Sequence, residues 1–342
     1  MINKKYYSYV DIMKLFFCFC VVGIHTHLFS EYPSLYWWIN RSVFRLAVPF
    51  FMVVSIFLLE KKIDNGKERK LAILDFSKRI GMMIIVFEPI AIFMNIILWY
   101  YQGIDITHIL FHCIQSVFFY PLGALWYLQA ILLAVWLDFF LEYKLKLSDK
   151  FIWVIAIGLY AIGLLGNSYF FIVEDTPLET LFILYLRVFS SFRNVFHYGL
   201  IMVLIGKYAW NAYKKRCYNQ RSLFYRCIIV YLLYLVELFA LRDKSFVDDG
   251  SMFIVLPIFI VFFVLALLHY ISDIDKYKSY RNLSTGIYLV HKDITILLTL
   301  VCMLFLDFDI GSLNKFIIVS ILSFVICSLS YRLDWKIAKY LK

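Results

Sequence analysis

Cysteine pairs at metal or redox spacing are missing. The seven cysteines (Cys18, Cys20, Cys113, Cys217, Cys227, Cys302, Cys327) are scattered, none forms a CxxC pair, and four fall within apolar runs. Cys18 and Cys20 are two residues apart and would face different sides of a helix. A disulfide framework or a zinc site is excluded on that pattern. Charge is scarce as well, at 17% of 342 residues. Polar stretches between apolar runs stay shorter than about thirty residues, which leaves no room for an appended soluble domain. No internal repeat, heptad array or low-complexity segment is present. The first apolar run lacks a small-residue cleavage site and carries Lys14, His25 and His27, so it reads as a span and not as a removable signal peptide.

Apolar residues fill the gap. They make up 63% of the chain, aromatics 20%, and the mean hydropathy is +0.78. Soluble domains run nearer one-half apolar. Runs of 16 to 22 apolar residues recur from end to end, which predicts an all-α integral membrane protein, a bundle of about ten transmembrane helices forming one domain over 1–342. The spans fall at about 12–29, 42–59, 79–100, 124–141, 151–168, 197–212, 226–241, 252–270, 286–306 and 315–333.

The net charge of +10 has a topological explanation and does not call for nucleic acid. Of the 34 Lys and Arg, 25 lie in the tails and alternate loops that share one side, six on the other side, and three (Lys14, Arg45, Lys292) within spans. A bias that alternates loop by loop places both termini in the cytoplasm. Two outer segments, 101–123 and 176–196, are amphipathic or apolar with interspersed Arg. They are expected as interfacial or re-entrant helices.

The stretch "DIMKLFFCFCVVGIHTHLF" (11–29) holds the densest chemistry. At about 100° per residue, Lys14 and His25 end roughly 20° apart after three turns and roughly 16 Å apart along the axis. Asp11 sits three residues before Lys14, within pairing reach. Ionisable groups inside a span cost about 3 kcal/mol or more on insertion scales and face an interior or a wet cavity. The stripe fits either an interfacial ion pair with a packing histidine, or a general base: a neutral imidazole is the available base near pH 7. His27 faces elsewhere. Glu88 (before Pro89), Glu237 and Arg45 are further charges within spans, expected to be structural pairs, with Arg45 bonded to an acid.

Asp11, Lys14 and His25 resemble the first-span motif of the membrane acyltransferase-3 family, an Asp-x-x-Arg/Lys followed ten residues later by His. "VPFFMVVSIFLL" (48–59), "FSKRI" (76–80), "LWYLQAILL" (125–133), "FRNVFHYGLIMVLIGKY" (192–208) and "GIYLVH" (286–291) resemble further family segments in the same order. Two departures stand out. Ile56 occupies a position where Gly is usual, which puts close helix packing there in question, and Arg79 is not followed by a second Arg three residues on.

The resemblance implies an acyltransferase of the O-acetyltransferase type, with no bound cofactor or metal. Acetyl-CoA or another acyl-CoA would be co-substrate, and a surface glycan or lipid-linked saccharide the acceptor. It further implies a multi-pass protein of a bacterial cell membrane, similar to stand-alone members that lack an extracytoplasmic esterase-like domain. His25 would be the base, with Lys14 and Asp11 beside it. Lys78 and Arg79 would meet the phosphates of the donor, with Tyr288 and His291 as further donor contacts. Trp126, Arg193 and Asn194 would bind acceptor. Trp126 and Tyr127 fit an aromatic belt equally well. Asn194 or a backbone N–H are candidates for the oxyanion donor. The competing readings are a transporter or flippase of a lipid-linked glycan, which predicts repeats and broken helices in matching positions, and a multi-span glycan polymerase.

Overall fold

The computed structural model describes residues 6–269, 277–306 and 310–332. In chain order the α-helices are α1 (Ser8–His25), α2 (Pro33–Ser42), α3 (Ala47–Asp64), α4 (Arg69–Tyr101), α5 (Ile106–Phe118), α6 (Trp126–Phe139), α7 (Asp149–Leu165), α8 (Pro177–Phe189), α9 (Leu200–Lys214), α10 (Gln220–Leu241), α11 (Leu256–Leu267), α12 (Lys278–Val301) and α13 (Ser312–Arg332). A 3₁₀ turn at Phe44–Leu46 leads into α3, and π-helical turns occupy Phe140–Lys144, Val195–Gly199 and Cys302–Leu306. No strand occurs among the described residues.

Each expected apolar segment contains a helix among the described residues. Among the described residues, seven helical stretches are long and apolar enough to cross a membrane: Ser8–His25, Pro33–Asp64, Arg69–Tyr101, Trp126–Lys144, Gln220–Leu241, Lys278–Phe305 and Ser312–Arg332. A hydrocarbon core of about 30 Å takes about 20 residues; α7, α9 and α11 have 17, 15 and 12. The two outer segments contain α5 and α8, 13 residues each. The expected cytoplasmic termini, and with them Lys4, Lys5, Lys276, Lys336, Lys339 and Lys342, lie outside the described residues.

Local chemistry starts the helices where it should. Asp105 caps α5 by accepting from the Thr107 N–H, Thr176 caps α8 ahead of Pro177, and Asn219 caps α10 through the Ser222 N–H. Within α4, Pro89 supplies no N–H, so the Ile85 carbonyl loses its helical donor next to Glu88.

The chain divides into two compact units, one drawn from 1–47, 82–125 and 270–342, the other from 48–81 and 126–269. In the first, α1, α12 and α13 pack against one another. Asp11 meets Arg281, Cys18 the backbone of Tyr288, and His25 the ring of His291. Both numbers rise together, so α1 and α12 run parallel. α13 is antiparallel to α12: the Tyr331 hydroxyl donates to the Asn282 carbonyl, and Gly286 faces Cys327. Ser312, at the start of α13, bonds Glu31 and the Phe29 N–H just past the end of α1.

In the second unit, α9 packs on α6, α7 and α11, and α10 pairs with α11. A Cβ at Gly206 on α9 would lie 2.4 Å from the Cβ of Ile56 on α3. The close approach that Ile56 put in question is therefore made, with the glycine supplied by the facing helix. Glu237 accepts from the Tyr169 hydroxyl and from the N–H groups of Ile254 and Val255 at the start of α11, a structural role. In the first unit, Arg45, expected to bond an acid, donates from Nε to the Asn40 amide oxygen at 2.9 Å. Lys207, counted with the loop bases in the charge asymmetry, lies instead within α9 and bridges Asp138 (3.0 Å) and Glu142 (2.9 Å). A lysine whose stem runs along an apolar helix reads as a loop residue by charge alone.

Candidate active site

α1 carries the expected stripe in one unbroken helix. Asp11 is 4% exposed, and its carboxylate is shared. Oδ1 faces Lys14 Nζ at 3.7 Å, and Oδ2 accepts from Arg281 Nη1 on α12 at 2.9 Å. A buried acid needs such partners, because an uncompensated charge would cost several kcal/mol. The shorter of the two bonds goes to Arg281. Sequence reasoning missed this arginine, since it was grouped with loop cations; the signal that could have found it is its place one helical turn before the "GIYLVH" segment's own span. The group of one acid and two bases carries a net positive charge.

His25 is the last residue of α1 and is half-buried. Its ring lies 5.2 Å, centroid to centroid, from that of His291, tilted by 43°. His291 is fully buried, and its Nδ1 bonds the Ile287 carbonyl at 3.1 Å. Tyr288, one turn before it, donates its hydroxyl to the Ala124 carbonyl. Tyr288 and His291 therefore sit with His25 in the interior of the first unit. His27 follows the helix end with φ of 53°, is exposed, and pairs with the Tyr36 hydroxyl at 3.2 Å, away from this group.

The same unit holds a second buried polar group. Glu88 accepts from the Leu122 N–H at 3.0 Å, and its Oε2 has no partner among the described residues. Lys292 and Asp293 on α12 complete it: Asp293 acts electrostatically on Glu88, and the Lys292 side chain fills the space where a Gly123 Cβ would sit, 2.8 Å from Cγ. Gly123 has φ of +63°, so glycine suits it twice over.

The remaining expected residues belong to the second unit. Lys78 and Arg79 are exposed on α4, and Arg79 has no acidic partner among the described residues. Arg193 packs its guanidinium over the Trp126 ring at 4.6 Å and pairs with Asp249 at 2.7 Å and Asp248 at 3.5 Å. The two aspartates were not anticipated. Asn194 caps the π-helical turn: Oδ1 accepts from the N–H groups of Phe196 and His197, while Nδ2 donates to the Tyr185 hydroxyl and the Ser191 carbonyl. Its donors are engaged, which leaves an oxyanion to other groups. Burial pushes the Tyr185 phenol upward against the opposing pull of this Asn194 bond. Trp126, Arg193 and Asn194 thus fall on neighbouring parts of one unit; His25, Lys14, Asp11, Tyr288 and His291 fall together in the other.

Comparison with known proteins adds independent information. A family model described as an acyltransferase domain matches residues 7–332. A serine/alanine racemase of Enterococcus gallinarum is 25% identical over 295 residues, which covers 82% of this chain and 40% of the racemase. An amino-acid racemase of Enterococcus faecalis is 29% identical over 226 residues, 64% of this chain and 30% of that protein. An acetyltransferase-named protein of Acidianus two-tailed virus is 23% identical over 258 residues, covering 73% of this chain and 74% of its own length. The chain spans less than half the length of the racemases it matches. No solved structure matches. With the family model running through every helix from α1 to α13, the chain belongs to the acyltransferase-3 family of multi-pass membrane acyltransferases.

Proposed function

We propose that the protein transfers an acyl group, acetyl foremost, from acyl-CoA to a hydroxyl of a cell-surface or lipid-linked glycan in a bacterial cell membrane. The observation that carries the reading is the polar line in the first unit. Asp11, Lys14 and Arg281 lie at one end of the parallel pair α1 and α12, and His25 and His291 at the other. The cationic end suits donor phosphates. At the other end, His25 takes the proton of the acceptor hydroxyl as its oxygen attacks the thioester carbonyl. The C–O bond forms, the C–S bond breaks, and the imidazolium returns the proton to the departing thiolate. Lys78 and Arg79 are further donor contacts, supported by their exposure. The Trp126 and Arg193 group, with its two aspartates, is the acceptor site. The racemases' names are not carried over, because more than half of each lies outside the match.

The accompanying topology has ten crossings and both termini in the cytoplasm. Parity supports it. Parallel α1 and α12 require an odd number of crossings between them. Of the seven long apolar stretches only four lie between α1 and α12, which would make these two helices antiparallel. Adding α7, α9 and α11 gives seven and restores the observed direction. Membranes containing the protein should transfer radiolabelled acetyl from acetyl-CoA to glycan, and His25→Ala should lower the rate by about 10²–10⁴-fold. Wild type that moves no acetyl to any glycan, but flips a lipid-linked saccharide, would overturn the reading in favour of a transporter.

A further inference from the structure

The hydrogen bonding of His291 fixes its tautomer. A carbonyl oxygen can only accept, so the 3.1 Å contact between His291 Nδ1 and the Ile287 carbonyl places the proton on Nδ1. Nε2 of the uncharged ring is then a bare acceptor. It is fully buried and has no hydrogen-bond partner among the described residues. Buried polar atoms normally have one, and an orphan calls for a reason. Two rings lie beside that of His291, His25 at 5.2 Å and Tyr288 at 5.8 Å between centroids; the Tyr288 hydroxyl already donates to the Ala124 carbonyl, which leaves His25 as the donor. The helices hold the two rings in place: α12 is pinned to α1 by Asp11–Arg281 below, and the Tyr288–Ala124 bond fixes the turn of α12 that precedes His291.

We propose that His291 is a positioning residue for His25: its bare Nε2 accepts an N–H of the His25 ring when that ring takes up the acceptor's proton, holding the imidazolium in the orientation that keeps its other nitrogen on the acceptor oxygen. The logic is that of any base oriented by a third group. A permanently made bond would serve the resting state equally. An acceptor left open in a dry interior instead favours the state in which His25 is charged, and so favours the transition state over the ground state. His291 gains no proton overall. The hydroxyl proton rests on His25 and leaves with the thiolate. Buried and turned inward, His291 is thereby assigned to the base and not to donor binding. The kinetic part of this inference rests on the acyl-transfer reading above; the pairing itself does not.

Two measurements on the full-length protein test it. In acetyl-CoA-dependent transfer, His291→Leu should lower kcat about 100-fold while KM for acetyl-CoA stays within about threefold. His291→Gln places an oxygen near the Nε2 position and should recover about tenfold of that loss. A raised KM with unchanged kcat would make His291 a donor contact and overturn the proposal, as would equal impairment of the Leu and Gln variants, which marks packing alone. The second measurement is ¹⁵N NMR of histidine-labelled protein in nanodiscs, assigned with the His291→Leu variant. The bare Nε2 signal of His291 should shift in His25→Leu. A signal that stays put overturns the pairing, whether or not transfer is observed. Wild type without any CoA-dependent transfer, accompanied by the expected NMR shift, would instead overturn the acyl-transfer reading and leave the histidine pair standing.

Discussion

Gly206→Ala tests whether α3 and α9 are held at glycine distance. The new Cβ would lie 2.4 Å from Ile56 Cβ, 2.7 Å from its Cγ2 and 3.1 Å from the Val53 carbonyl oxygen. Favourable carbon contacts lie near 3.5–4.0 Å, so relief needs a displacement of about 1 Å. Neither Cβ can rotate away, because each is fixed to its backbone, and overpacking of this kind costs about 1–3 kcal/mol. Ala regains about 1 kcal/mol of helix propensity over Gly, so the net loss should be about 0–2 kcal/mol, read by equilibrium unfolding in mixed micelles. The decisive variant moves the glycine across the interface. Ile56→Gly alone empties a site that is 1% exposed and should cost about 3–5 kcal/mol. Combined with Gly206→Ala it removes the Cβ clash, so the double variant should be more stable than the sum of its parts by about 1 kcal/mol or more. Ile56→Ala with Gly206→Ala keeps the offending Cβ and should show much weaker coupling. Equal coupling with Ala and Gly at 56 would refute the argument.

Arg79→Ala should raise KM for acetyl-CoA about tenfold, the worth of one charge-assisted bond, with kcat nearly unchanged; steady-state kinetics with labelled donor decide it. Lys207→Met strands Asp138 and Glu142 and should destabilise the second unit by about 3–5 kcal/mol, whereas the triple variant Lys207→Met, Asp138→Asn, Glu142→Gln should regain most of that loss in the same unfolding assay. At the end of α1, hydrogen bonds from the Ser312 hydroxyl and N–H hold the Glu31 carboxyl below its usual range. A lowered acid contributes stability above its ordinary titration near about pH 4.3, and that contribution is lost as pH falls through the lowered value. Thermal melting of wild type should therefore exceed that of Glu31→Gln at neutral pH, and the gap should close at strongly acid pH.

Most of the helical plan was legible because long apolar runs have one outcome in a bilayer, where every backbone group must be satisfied within the segment. The stripe on α1 was legible for the same reason that α1 is a helix: a fixed 100° step places Asp11, Lys14 and His25 on one face. What periodicity cannot supply is the identity of the facing helix. Arg281 looked like a loop cation and Lys207 like another, because charge counting treats every base near a span end alike. Ile56 looked like a packing fault because the glycine that answers it is 150 residues away, on α9.

His291 shows the same limit at the site itself. Read along the chain, a histidine in "GIYLVH" toward one end of a span is an available ligand for whatever approaches from that side. Its direction depends on two facts outside its own helix. One is that α12 runs parallel to α1, so that both helices advance together from the Asp11–Arg281 pair and bring positions 25 and 291 to one level. The other is that the Ile287 carbonyl claims Nδ1, which turns the bare nitrogen inward. Under the proposed ten-crossing topology the parallel packing of α1 and α12 follows from crossing number, because seven intervening crossings would return the chain to the side from which α1 started. The alternating charges that suggested ten crossings and the two rings that meet in the first unit thus lean on the same parity. A topology with α7, α9 or α11 withdrawn from the membrane singly would leave an even number of crossings between α1 and α12, reverse α12, and carry Arg281 away from Asp11.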